Sequence, residues 1–161
     1  MPRSTTTRIG LISDTHGLMR PEALAALAGV SHIVHAGDIG SAEILSQLRA
    51  IAPVTAVRGN NDKATWAAGI AETEVLEIAG KSIYVLHDLA ELDLDPVTAG
   101  FSVVVTGHSH KPVITQKGDV LYVNPGSAGP RRFKLPVSVA MLEIDRTTIR
   151  AEIHELRLAT P

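Results

Sequence analysis

The chain has 161 residues, of which 45% are hydrophobic, 20% charged and 3% aromatic, with a formal net charge of −2 and no cysteine. That length favours one domain with a sizeable core, and the composition is that of a soluble globular protein. The missing thiols exclude disulfides and thiolate metal or redox chemistry and agree with a reducing, cytoplasmic setting. The charge leaves no electrostatic footprint for nucleic acid, the scarce aromatics argue against a base-stacking surface, and no run approaches the ~20 apolar residues of a membrane span.

A single domain over residues 1–161 is expected, its first seven residues a disordered tail that lacks the apolar segment of a secretory signal. Arg8–Ser13 predicts the first strand and leads into Asp14-Thr15-His16-Gly17. Pro21–Ala28 has helical spacing, with Pro21 suited to the first turn. Strand Ser31–Ala36 runs into Gly37-Asp38. Ser41 is placed to N-cap a helix over Ala42–Ala50, whose Ile44, Leu45 and Leu48 form one apolar stripe. Strand Val54–Val57 runs into Arg58-Gly59-Asn60-Asn61-Asp62. This alternation predicts a parallel sheet with right-handed crossovers.

The second half changes character. Thr73–Ile78 and Lys81–Leu86 flank Ala79-Gly80 as a hairpin, and the second of these strands ends at His87-Asp88. Phe101–Val105 is apolar enough for a strand buried on both faces, and it ends at Gly107-His108-Ser109-His110. Val113–Gln116 with Val120–Val123, and Val137–Ile144 with Thr148–Glu155, predict two further hairpins. Halves of such different connectivity predict an α/β fold of two sheets packed face to face, with helices outside.

Five strand ends therefore deliver Asp14, His16, Asp38, Asn60, His87, His108 and His110. Carboxyl ends of strands in an open α/β sheet share one edge, where ligands bind. Four His, two Asp and one Asn exceed what one cation needs, whereas two cations sharing a bridging carboxylate use them all. Nitrogen and oxygen donors without sulfur suit manganese, the favoured ion, and also iron, zinc, nickel or cobalt. Two divalent ions, two carboxylates and a hydroxide sum to about one positive charge, which suits an anion able to bridge the ions. A phosphoryl group fits this better than an uncharged amide.

Asp14-Thr15-His16, Gly37-Asp38, Gly59-Asn60-Asn61-Asp62, His87, Gly107-His108-Ser109-His110 and Asn124-Pro125-Gly126-Ser127 together resemble the ordered motifs of the calcineurin-like metallophosphoesterases. The nearer likeness is to their small, cap-less YfcE-like phosphodiesterase branch. The resemblance implies a four-layer αββα sandwich of two mixed β-sheets flanked by helices. It implies one ion held by Asp14, His16, Asp38 and His110, with Asp38 bridging to a second ion completed by Asn60, His87 and His108. It also implies a phosphodiesterase in which a metal-bridging hydroxide attacks phosphorus in line on a small phosphoester. Asp38, Asn60 and His16 are the expected catalytic residues, and Asn60 and Asn61 the expected substrate contacts. Asn61 stands where many members carry a His that protonates the leaving group, and Asp88 stands where Gly is usual. Asp88 could tighten metal binding, accept from a substrate or point into solvent.

Other residues read as structural: His32, His35 and His154 as ordinary histidines, with a supporting role behind the ligands open for His35, and Asp62 as a turn or cap. Arg131, Arg132 and Lys134 form a small cluster that reads equally as a solvated loop or a phosphate contact. The alternative function is a non-catalytic scaffold on the same fold, betrayed by erosion of the ligands, and none is eroded here. Strand edges in the hairpin-rich half leave homo-oligomerisation open.

Overall fold

The computed structural model describes residues 6–132 and 134–159. The expected tail lies outside them as far as residue 5, and Thr7 already belongs to the first strand. Among the described residues ten strands form two five-stranded sheets.

In the first sheet β1 (Thr7–Ile12), β2 (His32–His35) and β3 (Val54–Ala56) run parallel, with Ile12 opposite His35 and His35 opposite Ala56. Their carboxyl ends are therefore level. The crossovers are α1 (Pro21–Ala26) and α2 (Ala42–Arg49). Pro21 opens α1 as expected. Ser41 sits at the N-cap of α2 with extended backbone, but its side chain makes no capping hydrogen bond. Ile44, Leu45 and Leu48 do form the buried stripe, packed with Leu27, Ile33 and Met141 against the outer face of this sheet.

The second sheet has the order β4-β5-β6-β8-β7, from β4 (Thr73–Ile78), β5 (Lys81–Leu86), β6 (Val103–Val105), β7 (Val113–Lys117) and β8 (Val120–Asn124). β5, β6 and β8 are parallel, and the edge strands β4 and β7 close as antiparallel hairpins. The two sheets are not the two halves of the chain. The hairpin β9 (Ser138–Ile144) and β10 (Ile149–Glu155) returns to the first sheet, where β9 pairs antiparallel with β1. Its alternating residues Ala140, Leu142 and Ile144 are fully buried and join Ile9, Leu11 and Val34 in the core that faces Ile83, Val85, Val103 and Val105 of the other sheet.

The helical layers are unequal. Among the described residues, only a 3-10 turn, Leu89–Glu91, and the single turn α3 (Pro96–Ala99) lie over the second sheet. Asp95 caps α3 by accepting from Val97 N, Pro96 starts it, and Gly100 ends it at φ 84°. Start and stop signals this close allow no longer helix. The segment buries Tyr84, Leu86 and Val104 beneath Leu92, Leu94 and Phe101, with the Phe101 ring stacked on Tyr84 at 4.9 Å between centroids.

Candidate metal centre

The loops that leave β1 and β2 are laced together before any side chain acts. Asp14 N donates to Gly37 O (2.9 Å), His16 N to Asp38 O (2.9 Å) and Gly17 N to Ile39 O (2.8 Å), so pairing continues past the strand ends. Gly107 N donates to His87 O (2.9 Å), joining the ends of β5 and β6 in the same way. The chain turns sharply at these places. Among the described residues six non-glycine residues have positive φ, and five of them are Asp14, His16, Asp38, His108 and His110. The sixth, Ala79, forms the β4–β5 hairpin turn with Gly80. Left-handed backbone outside glycine costs on the order of 1–3 kcal/mol per residue and clusters where function over-determines it. Gly37 lies at φ 104°, and a Cβ there would stand 2.6 Å from His87 Nδ1, so only glycine admits that ring.

Two trios result: Asp14, His16 and His110, and Asp38, His87 and His108, the ligand atoms of each within 4.8 Å of one another. Asp14 Oδ1 is 3.4 Å from His110 Nε2 and 3.7 Å from His16 Nε2. Asp38 Oδ2 is 3.7 Å from His16 Nε2 and 3.3 Å from His87 Nε2, so it faces both trios. His87 Nε2 reaches Asp14 Oδ1 at 4.0 Å. Asn60 Oδ1 lies 3.2 Å from His108 Nδ1, which adds the amide to the second trio. All seven donors expected from sequence thus meet at one place.

The donor set fits divalent cations. Asp14 Oδ1 and His87 Nε2 are buried and lack any hydrogen-bond partner, yet they face each other across the site. Buried polar atoms are almost always satisfied, so two orphaned lone pairs turned towards each other, a carboxylate oxygen and the imidazole nitrogen opposite the donating Nδ1, mark a place built for a cation. His16 Nε2 and His110 Nε2 converge to 3.4 Å, as nitrogen lone pairs do around a common ion.

Electrostatics hold the site ready. Burial of Asp14 opposes its charge, but contacts from His110, His16 and Ser13, with the nearby His87, outweigh it and keep the carboxyl well below the usual carboxylate range. Asp38 is likewise held low against burial by His87 and by Asn61 N. His87 is raised: burial disfavours its charged form, but Asp38 and the Ala36 carbonyl favour it more. His87 Nδ1 donates to that carbonyl at 2.7 Å, which aims Nε2 at the trios.

A supporting layer was only faintly visible in the sequence. His35 is fully buried. Its Nδ1 accepts from Gly37 N (3.1 Å), and its Nε2 donates to Thr15 Oγ1 (3.0 Å), which donates to Ile39 O (2.7 Å). That chain fixes the neutral tautomer, and burial pushes the pKa down to about 4. Asp62, expected as a turn or cap, accepts from the backbone N–H groups of Ile39, Gly40 and Gly59 and clamps the loops after β2 and β3. Asn124 Nδ2 donates to Gly107 O (2.9 Å) and Ser109 Oγ (3.1 Å), and Ser127 Oγ donates to Asp14 O (3.0 Å). The Asn61 amide donates to Asp38 Oδ2 (3.1 Å), so this exposed residue, an expected substrate contact, also holds Asp38. Asp88 caps the 3-10 turn through Ala90 N and lies 3.8 Å from His108 Nε2. His32 meets Thr55, and His154 lies 3.9 Å from Glu152, both away from the trios as expected. The Arg131 Nε donates to Leu135 O, within its own loop.

Two mixed sheets with carboxylates and imidazoles gathered at their shared edge define an α/β sandwich of the phosphoesterase kind. The chain belongs to the calcineurin-like phosphoesterase superfamily, whose domain it matches over residues 7–147. It is 36% identical over 157 residues to a probable metallophosphoesterase of Methanothermobacter thermautotrophicus, covering 90% of each protein. It is 27% identical over 169 residues to the phosphodiesterase YfcE of Escherichia coli K12, covering 86% of this chain and 89% of that one. Among solved structures, vacuolar protein sorting 29 of Cryptosporidium parvum shares the fold at a TM-score of 0.81 and 22% identity, over 94% of this chain and 92% of that one.

Proposed function

We propose that this chain is a metal-dependent phosphodiesterase acting on small phosphoesters. The observation that carries the reading is Asp38 Oδ2, set within 3.7 Å of His16 Nε2 in one trio and 3.3 Å of His87 Nε2 in the other, as a bridging carboxylate requires. Asp14, His16, Asp38 and His110 would hold one divalent cation, and Asp38, Asn60, His87 and His108 a second, with manganese the favoured ion. Such a pair supplies charge stabilisation for the phosphoryl oxygens and a water-derived nucleophile at neutral pH.

The chain's own residues do the rest. Asn61 holds Asp38 in its facing position through both its backbone N–H and its amide. His87 is aimed by Ala36 O, and Asn60, exposed at the rim, is free on its Nδ2 side to donate to a phosphoryl oxygen. Asn61 is an amide and a poor proton donor to a leaving alkoxide at neutral pH, so esters of acidic alcohols are the better substrates. Asp88 adds a carboxylate at the mouth and so disfavours the dianion of a monoester relative to the monoanion of a diester. The rival reading, a scaffold without catalysis, expects lost donors, whereas all seven positions retain theirs.

The test is hydrolysis of bis-p-nitrophenyl phosphate with added Mn²⁺, alongside Asp38→Ala. Metal-dependent turnover in the parent and a fall on the order of 10³-fold in the variant is the expected result. No turnover in the parent with manganese, iron, zinc, nickel or cobalt overturns the reading.

A further inference from the structure

The thin cover on the second sheet leaves part of its outer face bare, beside the site. A cavity of about 230 Å³ lies there, bounded by Leu89, Val113, Lys117, Tyr122 and, at its mouth, Asp88 and His108. Register explains the wall: Val113, Thr115 and Lys117 alternate along β7 opposite Asn124, Tyr122 and Val120, so their side chains share one face with Tyr122. The lining is mainly apolar. Leu89 and Val113 are 42% and 43% exposed, large hydrophobic side chains left open to solvent from two different segments that flank His108. Lys117 Nζ sits 4.9 Å from the centroid of the Tyr122 ring, which fixes that ring as a wall and engages the cation.

Asp88 and His108 also border a second, polar groove lined by Arg58, Asn60 and His87. Cavity and trios thus meet at His108. We propose that this cavity is a substrate subsite that takes a flat aromatic ring, aryl or nucleobase, carried on one ester oxygen of the phosphodiester; it rests on the metal-dependent phosphodiesterase reading above. The volume lies below the ~300–1,000 Å³ of sites for drug-sized ligands and suits one ring system rather than a chain of nucleotides. The chemistry is that of a neutral group. The basic side chain in the lining already faces Tyr122, and a further phosphate would meet the Asp88 carboxylate. Apolar walls with a few polar groups at the mouth are the common form of a site that orients a ring while charge is recognised elsewhere.

The experiment compares phenylphosphonate with methylphosphonate as inhibitors of Mn²⁺-dependent bis-p-nitrophenyl phosphate hydrolysis, and by calorimetric titration of the manganese-loaded protein. Benzene ring burial predicts that the phenyl compound binds about tenfold more tightly or better. Thymidine 5′-phosphonate and its counterpart without the base, 2-deoxyribose 5-phosphonate, repeat the comparison for a nucleobase. Val113→Ser and Leu89→Ser each bring the phenyl-to-methyl affinity ratio towards one; both positions are exposed, so the fold stands. Equal binding of the two phosphonates by the parent, or a ratio unchanged in both variants, overturns the subsite while leaving the phosphodiesterase reading in place. Failure of every phosphonate to bind the manganese-loaded protein likewise overturns the subsite, whereas only the absence of metal-dependent hydrolysis overturns the phosphodiesterase reading.

Discussion

The two trios are built to different standards. Asp14 and His110 of the inner trio are buried and His16 is 20% exposed, and all three hold left-handed backbone. The outer trio buries Asp38 and His87, but His108 is 46% exposed and Asn60 lies on the surface. The inner trio is also gripped from behind: Asp14 Oδ2 accepts from Ser13 Oγ (2.6 Å) and His108 N (3.1 Å), and its carbonyl accepts from Ser127. One half of the site is preorganised by packing, while the other must be completed from solvent-facing side chains. Preorganised donors bind more tightly because little freedom is lost on binding, so the inner half should fill first.

The strongest way to break this comparison is Asp38→Ala. If one carboxylate serves both halves, its loss removes several kcal/mol of charge stabilisation, and metal-dependent diester hydrolysis falls on the order of 10³-fold. Retention of a large fraction of the rate would mean that the halves work separately. Next in size, His16→Ala should weaken the tighter of two classes of Mn²⁺ binding by about tenfold or more in calorimetric titration, whereas His108→Ala should spare that class and weaken the looser one. The reverse assignment would invert the order of filling.

A smaller effect lies behind the inner half, in His35. Its folded-state pKa, about 4, is below the ordinary 6.5. Above pH 6.5 both folded and unfolded chains hold it neutral. As pH falls from 6.5 to about 4 the unfolded chain takes up the proton and the fold does not, so stability falls, by up to about 3 kcal/mol in total. Urea denaturation of metal-free protein should show this loss in the parent and a flatter profile over the same window in His35→Gln. Equal slopes would mean that the ring is not held neutral. The smallest effect is at the rim: Asp88→Gly should raise the rate on p-nitrophenyl phosphate relative to its diester by about two- to threefold, less at high salt. A ratio unmoved at low salt would remove Asp88 from substrate selection.

Much of the site was legible because ligand chemistry restricts residue types and strand ends restrict their placement. Asp14, Asp38, His87 and the pair His108 and His110 each follow an apolar run, and the parallel registers do bring those runs level. What holds the ligands was harder to read. His35 and Asp62 act through backbone N–H groups, and a residue that serves backbone leaves no pattern in neighbouring side chains. The Asn61 contact with Asp38 depends on two loops 23 positions apart. The return of β9 to β1 is equally non-local, since a hairpin's alternation says which face is buried but not which sheet receives it. The short α3 was within reach, because Asp95-Pro96 and Gly100 are start and stop signals standing almost together.

The left-handed turns at Asp14, His16, Asp38, His108 and His110 set heat resistance against chemistry. Glycine replacements relax such turns more readily than aspartate or histidine holds them. A library of this chain selected for thermal endurance alone would therefore drift towards those replacements and empty the centre of its donors, while the two sheets around it grew harder to melt.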